Sequence, residues 1–65
     1  MTWEELRNKA KEIGCATYVI FEKQEILRHN TTGFLFCKDG DCYIGGSLIH
    51  NRTYDQMLMI MEALR

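Results

Sequence analysis

The stretch Phe34–Ile44, FLFCKDGDCYI, contains two short runs of β-forming residues on either side of Asp39-Gly40. Aromatic and β-branched residues favour strands, and an Asp-Gly pair between two such runs is typical of a type I′ hairpin turn. In that turn both central residues have positive φ. The sequence therefore predicts a β-hairpin with arms at residues 34–37 and 42–44.

A two-residue loop at this turn fixes which residues lie opposite one another. It pairs Cys37 with Cys42 and Phe36 with Tyr43. Opposite residues point to the same face of the hairpin, and successive residues alternate between the two faces. One face then carries Leu35, Cys37, Cys42 and Ile44. The other carries Phe34, Phe36 and Tyr43.

The pattern leaves open which of these two faces is buried. If helices cover the small aliphatic face, the aromatic face is exposed and marks a surface for a partner. In the inverse arrangement the aromatic residues form the core. Methionine is common on adaptable binding surfaces, and Met59 lies outside the apolar arc of the C-terminal helix. The expected protein-interface residues are Phe34, Phe36, Tyr43 and Met59.

An amphipathic helix is predicted before the sheet. Thr2 and Glu5 form a capping box, in which each side chain accepts a hydrogen bond from a backbone N–H at the helix start. Apolar residues then recur every three or four positions up to Ile13, as expected for one stripe of a helix. Gly14 follows as a cap, because glycine adopts positive φ without a steric penalty. The predicted helix spans residues 3–13.

A second helix is predicted at the C-terminal end. Its cap is either Asn51 or Thr53, and Thr53 has Gln56 as its capping-box partner three residues later. A wide apolar arc follows, formed by Tyr54, Met57, Leu58, Ile60, Met61 and Leu64.

The remaining segments complete an α+β fold. Residues 15–21 are rich in aromatic and β-branched types and predict a strand. Residues 26–29 fit a short strand, although residues 25–28 fit a helical turn equally well. We therefore expect a single domain covering residues 1–65, with the order helix, three- to four-stranded antiparallel sheet, helix. Both helices are expected on one face of the sheet.

Size and charge restrict the classes of function. The chain has 65 residues, a net charge of -1 and a pI of about 6.0, so no single-sign field favours nucleic acid or an anionic membrane. The polar, acidic start resembles no signal peptide, and no apolar run reaches the roughly 20 residues of a membrane span. We expect a cytoplasmic protein. A chain this short is marginally stable alone, so we also expect a homodimer.

The cysteines offer two kinds of site that we do not favour. Cys37 and Cys42 could form a disulfide, or could bind a metal with Cys15, His29 or His50 as further ligands. The spacing between the paired cysteines is looser than in a zinc knuckle, and no second pair exists. Reduced thiols in the core are the favoured interpretation. We expect no metal, no cofactor and no enzymatic activity.

Two similar polar clusters suggest an alternative function. Residues 28–30 read Arg-His-Asn and residues 50–52 read His-Asn-Arg. If the sheet brings them together, they form a mildly basic pocket beside the start of the second helix, suited to a phosphate group. The ligand-binding residues of this alternative are Arg28, His29, His50 and Arg52. Its ligand would be a phosphate-containing signalling nucleotide.

The two helix sequences, TWEELRNKAKEIG at residues 2–14 and NRTYDQMLMIMEAL at residues 51–64, resemble small uncharacterised proteins of Firmicutes phages and prophages. The resemblance implies a dedicated binder that blunts a host defence, such as an anti-CRISPR protein or a sponge for signalling nucleotides. It implies no catalytic residue. We therefore expect a non-enzymatic inhibitor that acts by protein–protein contact in the host cytoplasm.

Overall fold

Five antiparallel strands form one sheet in chain order in the computed structural model, which describes residues 1–65. The elements are α1 (Trp3–Ile13), β1 (Cys15–Val19), β2 (Glu25–His29), β3 (Leu35–Cys37), β4 (Cys42–Ile44), β5 (Ser47–Ile49) and α2 (Tyr54–Ala63). A 3₁₀ turn, Phe21–Lys23, connects β1 to β2. The predicted α+β class and the order helix, sheet, helix are confirmed. The segment after residue 25 is a strand and not a helical turn.

Both helices pack against the same face of the sheet. The helix residues in the core are Trp3, Leu6, Ala10, Met57 and Met61. They share one buried cluster with Cys15, Leu27, Phe36 and Cys42 from the strands. The predicted capping boxes of α1 and α2 are both present, with Thr2 and Thr53 as the N-caps. The helices therefore begin where the sequence places them, and their apolar stripes form one layer of the core.

Trp3 joins α1 to α2 and to the sheet. Its ring lies against that of Tyr54, with the ring centroids 5.6 Å apart. Its indole N–H donates to Glu25 Oε1 at 2.9 Å, and the Arg7 guanidinium donates to the same oxygen at 2.9 Å. The hydrogen bonds from Trp3 and then Arg7 hold the pKa of Glu25 below its ordinary value.

The hairpin between β3 and β4 has a three-residue loop, so the predicted type I′ turn is wrong. Cys37 N–H donates to the carbonyl of Asp41 at 2.8 Å, and Gly40 N–H donates to the carbonyl of Cys37 at 3.1 Å. Gly40 has a φ of 105°, whereas Asp39 is not among the residues with positive φ. An Asp-Gly pair also suits a three-residue loop that ends in a left-handed glycine. The Asp39 carboxylate stabilises this loop by accepting from Asp41 N–H at 3.0 Å.

The longer loop shifts the register of this hairpin by one residue. Phe36 lies opposite Cys42, and Leu35 lies opposite Tyr43. A shift of one residue moves side chains to the other face of the sheet. The predicted pairing of Cys37 with Cys42 is therefore wrong, and the two thiols point to opposite faces.

A type I′ turn does occur in the chain, at Gly45-Gly46. These glycines have φ values of 56° and 86°, and they place Ile44 opposite Ser47. The predicted hairpin arm ended at residue 44, and no strand was predicted between it and the second helix, so β5 was missed. A positive φ at two consecutive residues is the backbone conformation that two glycines supply most easily.

The β3–β4 loop is fixed to the start of α2. Arg52 N–H donates to the carbonyl of Gly40 at 2.8 Å, and the Tyr54 hydroxyl donates to the carbonyl of Lys38 at 2.6 Å. A Cβ atom on Gly40 would lie 3.3 Å from the carbonyl oxygen of Arg52. A side chain at this position would therefore force the Arg52 backbone, just before α2, to shift by a few tenths of an ångström.

We predict that Gly40→Ala destabilises the protein more than Gly14→Ala does. The two glycines have nearly equal φ, 105° and 103°, but a Cβ on Gly14 would meet no atom within 4 Å. Gly14→Ala should cost about 1–2 kcal/mol for the left-handed backbone alone. Gly40→Ala should cost about 1 kcal/mol more, because of the crowding against Arg52. Urea denaturation of both variants measures the difference, and equal losses would contradict the close approach.

Candidate functional site

The sheet face opposite the helices has no covering layer, and we name it the open face. Its strand residues are Ala16, Tyr18, Ile26, Arg28, Leu35, Cys37, Tyr43 and Leu48. Tyr18, Tyr43 and Leu48 are exposed, each by more than two fifths of its surface. Exposed apolar side chains grouped on one uncovered face of a small protein are typical of a binding site.

The centre of the open face is well packed even without a covering layer. Tyr18, Ile26 and Cys37 lie side by side on three neighbouring strands. Ile26 is only 8% exposed, although it points away from the helices and lies outside the main core cluster. The centre of the open face is therefore already shielded from solvent in the free chain, and little ordering is needed when a partner binds.

Arg28 is the only charged side chain among the strand residues of the open face. It lies in one row with Leu35, Tyr43 and Leu48. Its guanidinium is near the β2–β3 turn, since a Cβ on Gly33 would lie 3.5 Å from Nη2. The ion pairs of the protein involve other cations, namely Arg7, His50 and Arg65. Arg28 thus offers an unpaired guanidinium to a carboxylate on a partner.

A second exposed apolar feature lies at the end of β1. Tyr18, Val19, Ile20 and Phe21 are four of the eight large hydrophobic residues that are exposed in this protein. Phe21, in the turn, is 91% exposed. Glu22 and Lys23 follow with φ values of 59° and 60°, a left-handed conformation that strains side chains other than glycine. The turn therefore presents apolar side chains to solvent on a strained backbone.

The structure separates the four residues predicted to form the protein interface. Phe36 is fully buried in the core, so its predicted exposure is wrong. Phe34 is partly buried against the same core. Tyr43 is exposed on the open face, whereas Met59 is 71% exposed on α2, on the other side of the molecule. The one-residue register shift explains the error, because it exchanges the faces of β3 relative to β4.

The alternative ligand-binding residues do not come together. Arg28 and His29 are neighbours on β2, so their side chains point to opposite faces of the sheet. His29 is buried, with its Nδ1 2.8 Å from Thr32 Oγ1. His50 follows β5 at the opposite end of the sheet, and its Nδ1 lies 2.9 Å from Asp41 Oδ1. Arg52 lies beside the β3–β4 loop, so the predicted basic pocket is wrong.

The three cysteines are free thiols with raised pKa values. Burial raises the pKa of Cys15 and of Cys37, and it raises the pKa of Cys42 from 9.0 to about 11. A thiol with a raised pKa is protonated at neutral pH and is a weak nucleophile. No group of three or more His, Cys, Asp or Glu side chains is arranged to bind a metal.

We predict that Cys42 makes the protein sensitive to alkaline pH. The unfolded thiol ionises near pH 9, whereas the folded thiol keeps its proton to about pH 11. Stability should therefore be unaffected by this group below about pH 9 and should fall between pH 9 and 11, by about 2–3 kcal/mol.

Urea denaturation at several pH values tests this prediction. Cys42→Ala should be less stable at neutral pH, because it leaves a small cavity, yet it should lose less stability between pH 9 and 11. Cys37→Ala serves as the control and should keep most of the alkaline loss. An equal loss in Cys42→Ala and wild type would contradict the assignment to Cys42.

No protein-family model matches the chain, and searches of curated proteins and of solved structures found no significant match. Neither helix combines the length with the apolar character that crossing a membrane requires.

Proposed function

We propose that this chain is a non-enzymatic protein-binding domain that acts by covering a partner's surface with its open face. The observation that carries the proposal is a preformed apolar sheet face that no element of the chain covers. An inhibitor that blocks a partner by contact needs such a face and no catalytic group. The anti-defence role implied by the resemblance of the helix sequences fits this mode of action.

The partner should present an apolar surface that contains a carboxylate. Tyr18, Tyr43 and Leu48 supply the exposed apolar area. Arg28 lies among them without an ion-pair partner, and a guanidinium binds a carboxylate through two parallel hydrogen bonds. Complementary charge at this position would fix the orientation of the partner on the open face.

The area of the open face favours action as a dimer. Five strands about 4.8 Å apart, each contributing about three to four residues of about 3.3 Å, give a face of about 250–300 Å². A stable protein interface takes about 800 Å² from each partner. One copy supplies less than half of this area, whereas two copies supply about 500–600 Å², which reaches the lower limit of about 500 Å² per partner for a specific interface. We therefore propose that the functional unit contains two copies.

We predict that the open face determines which proteins the chain captures. Tyr43→Ser and Arg28→Glu should each weaken capture of a bound protein at least tenfold, since the loss of a central anchor in an interface costs about 2 kcal/mol or more. The matched controls are Met59→Ser and Lys9→Glu, at exposed positions on the helices.

The measurement is affinity capture from a bacterial lysate with quantitative mass spectrometry, followed by titration of the captured protein. Circular dichroism checks that each variant is folded. Equal capture by Tyr43→Ser, Arg28→Glu and wild type would overturn the proposed function, and so would a loss confined to Met59→Ser.

A further inference from the structure

The two edges of the sheet differ in how well they are protected from pairing with another strand. β5 is three residues long and follows Gly45-Gly46. β1 is five residues long, and its sequence Cys-Ala-Thr-Tyr-Val contains no charge and no proline. Proteins usually protect edge strands with charges, prolines, bulges or short length. The β1 edge has none of these protections.

The hydrogen bonds at both ends of β1 show which backbone groups face the free edge. Ile20 N–H donates to the carbonyl of Gln24 at 2.8 Å, and Asn30 N–H donates to the carbonyl of Gly14 at 3.0 Å. The backbone N–H and C=O groups of Gly14 and Ile20 therefore point toward β2, and so do those of every second residue between them. Cys15, Thr17 and Val19 consequently point their N–H and C=O groups out of the sheet.

We propose that two copies of this chain pair antiparallel along β1, about a twofold axis at Thr17. Thr17 then lies opposite Thr17 of the second copy, and Cys15 lies opposite Val19. The backbone N–H and C=O groups of all these residues point to the free edge, so the pairing forms about six hydrogen bonds between the copies. On the open face, Ala16 lies beside Tyr18 of the second copy, a small residue next to a large one.

The side chains along this edge are complementary under the same twofold axis. Val19 lies on the helix side of the sheet, since it shares a face with Thr17 and the buried Cys15, yet it is 66% exposed. Beside Cys15, a groove of about 390 Å³ is lined by Arg7, Asn8, Lys11, Cys15, Ala16 and Thr17. The pairing brings Val19 of each copy into the groove of the other. The methylene stems of Arg7 and Lys11 can cover this valine.

A second copy fits the edge better than it fits the open face. Stacking two open faces would bury the Arg28 guanidinium against a face without any carboxylate, and an unpaired buried charge is costly. Pairing through β1 leaves both open faces in solvent and joins them into one ten-stranded surface. The enlarged face would serve the proposed function, and its role in binding rests on that function.

The test is sedimentation velocity of the chain from about 10 µM to 1 mM, the range expected for a small interface. The wild type should change from 7.6 kDa to twice that mass. Val19→Lys should raise the dissociation constant at least about tenfold, because each dimer would place two lysines in grooves that are lined by Arg7 and Lys11 of the other copy. Met59→Lys places the same charge on a similarly exposed residue and should dimerise like the wild type.

Two further variants test the pairing itself. Thr17→Pro removes an N–H that faces the free edge, so the chain should fold, as checked by circular dichroism, but should remain monomeric. Thr17→Cys should form a disulfide-linked dimer on oxidation, because opposite residues of antiparallel strands lie within disulfide reach. Met59→Cys should not form one.

The outcomes separate this inference from the proposed function. A wild type that stays monomeric at 1 mM overturns the β1 pairing, whereas capture by the open face is measured independently. A dimer that withstands Val19→Lys but is lost in Tyr43→Ser also overturns it, because the open face would then be the dimer interface. That second result would overturn the proposed function as well.

Discussion

The backbone pair formed by Cys37 and Asp41 sets the register of the central hairpin, and both faces of the sheet depend on it. With this pair in place, Phe36 lies between Leu27 and Cys42 on the helix side, and all three are fully buried. A register shifted by one residue would move Phe36 or Cys42 out of the core. The loop that fixes the pair is held in turn by Arg52 and Tyr54 at the start of α2.

The placement of both helices on one side of the sheet explains why the other face is open. The two helices, of 11 and 10 residues, pack together over the same side of the five strands. The open face is therefore either solvated or covered by a binding partner. Its buried Ile26 and its exposed tyrosines show a compromise between these two conditions. Tyrosine suits such a position, because it combines a large apolar ring with a polar hydroxyl.

Local signals in the sequence predicted the helices and most of the strands. They did not predict the register between β3 and β4. Capping boxes and apolar residues spaced three or four apart depend only on neighbouring residues. Thr2 was therefore predicted as a cap, and Thr53, one of two predicted candidates, is the cap of α2. Asp39-Gly40 fits both a two-residue and a three-residue loop, and the choice depends on contacts with Arg52 that are distant in sequence. β5 gives a weak signal because it is only three residues long.

The same limit applies to the candidate site. Tyr43 was predicted to be exposed, and it is. Phe36 was predicted to be exposed beside it, because the assumed register put both residues on one face, but Phe36 is buried. Tyr18 and Leu48 lie on strands whose neighbours in the sheet were not predicted. The length of a hairpin loop thus decides which residues of this chain are available to a partner.

An uncharged edge strand beside an exposed apolar face is a hazard for a monomer, because both features favour uncontrolled association. Pairing about a twofold axis uses each β1 edge once and leaves only the two short β5 edges at the ends of the joined sheet. Because β5 is three residues long and begins beside Gly45-Gly46, it offers few groups for further strand addition. The proposed assembly would therefore close at two copies, since an isologous contact consumes the surface that forms it. In this arrangement the features that endanger the single chain become the dimer interface and the binding face.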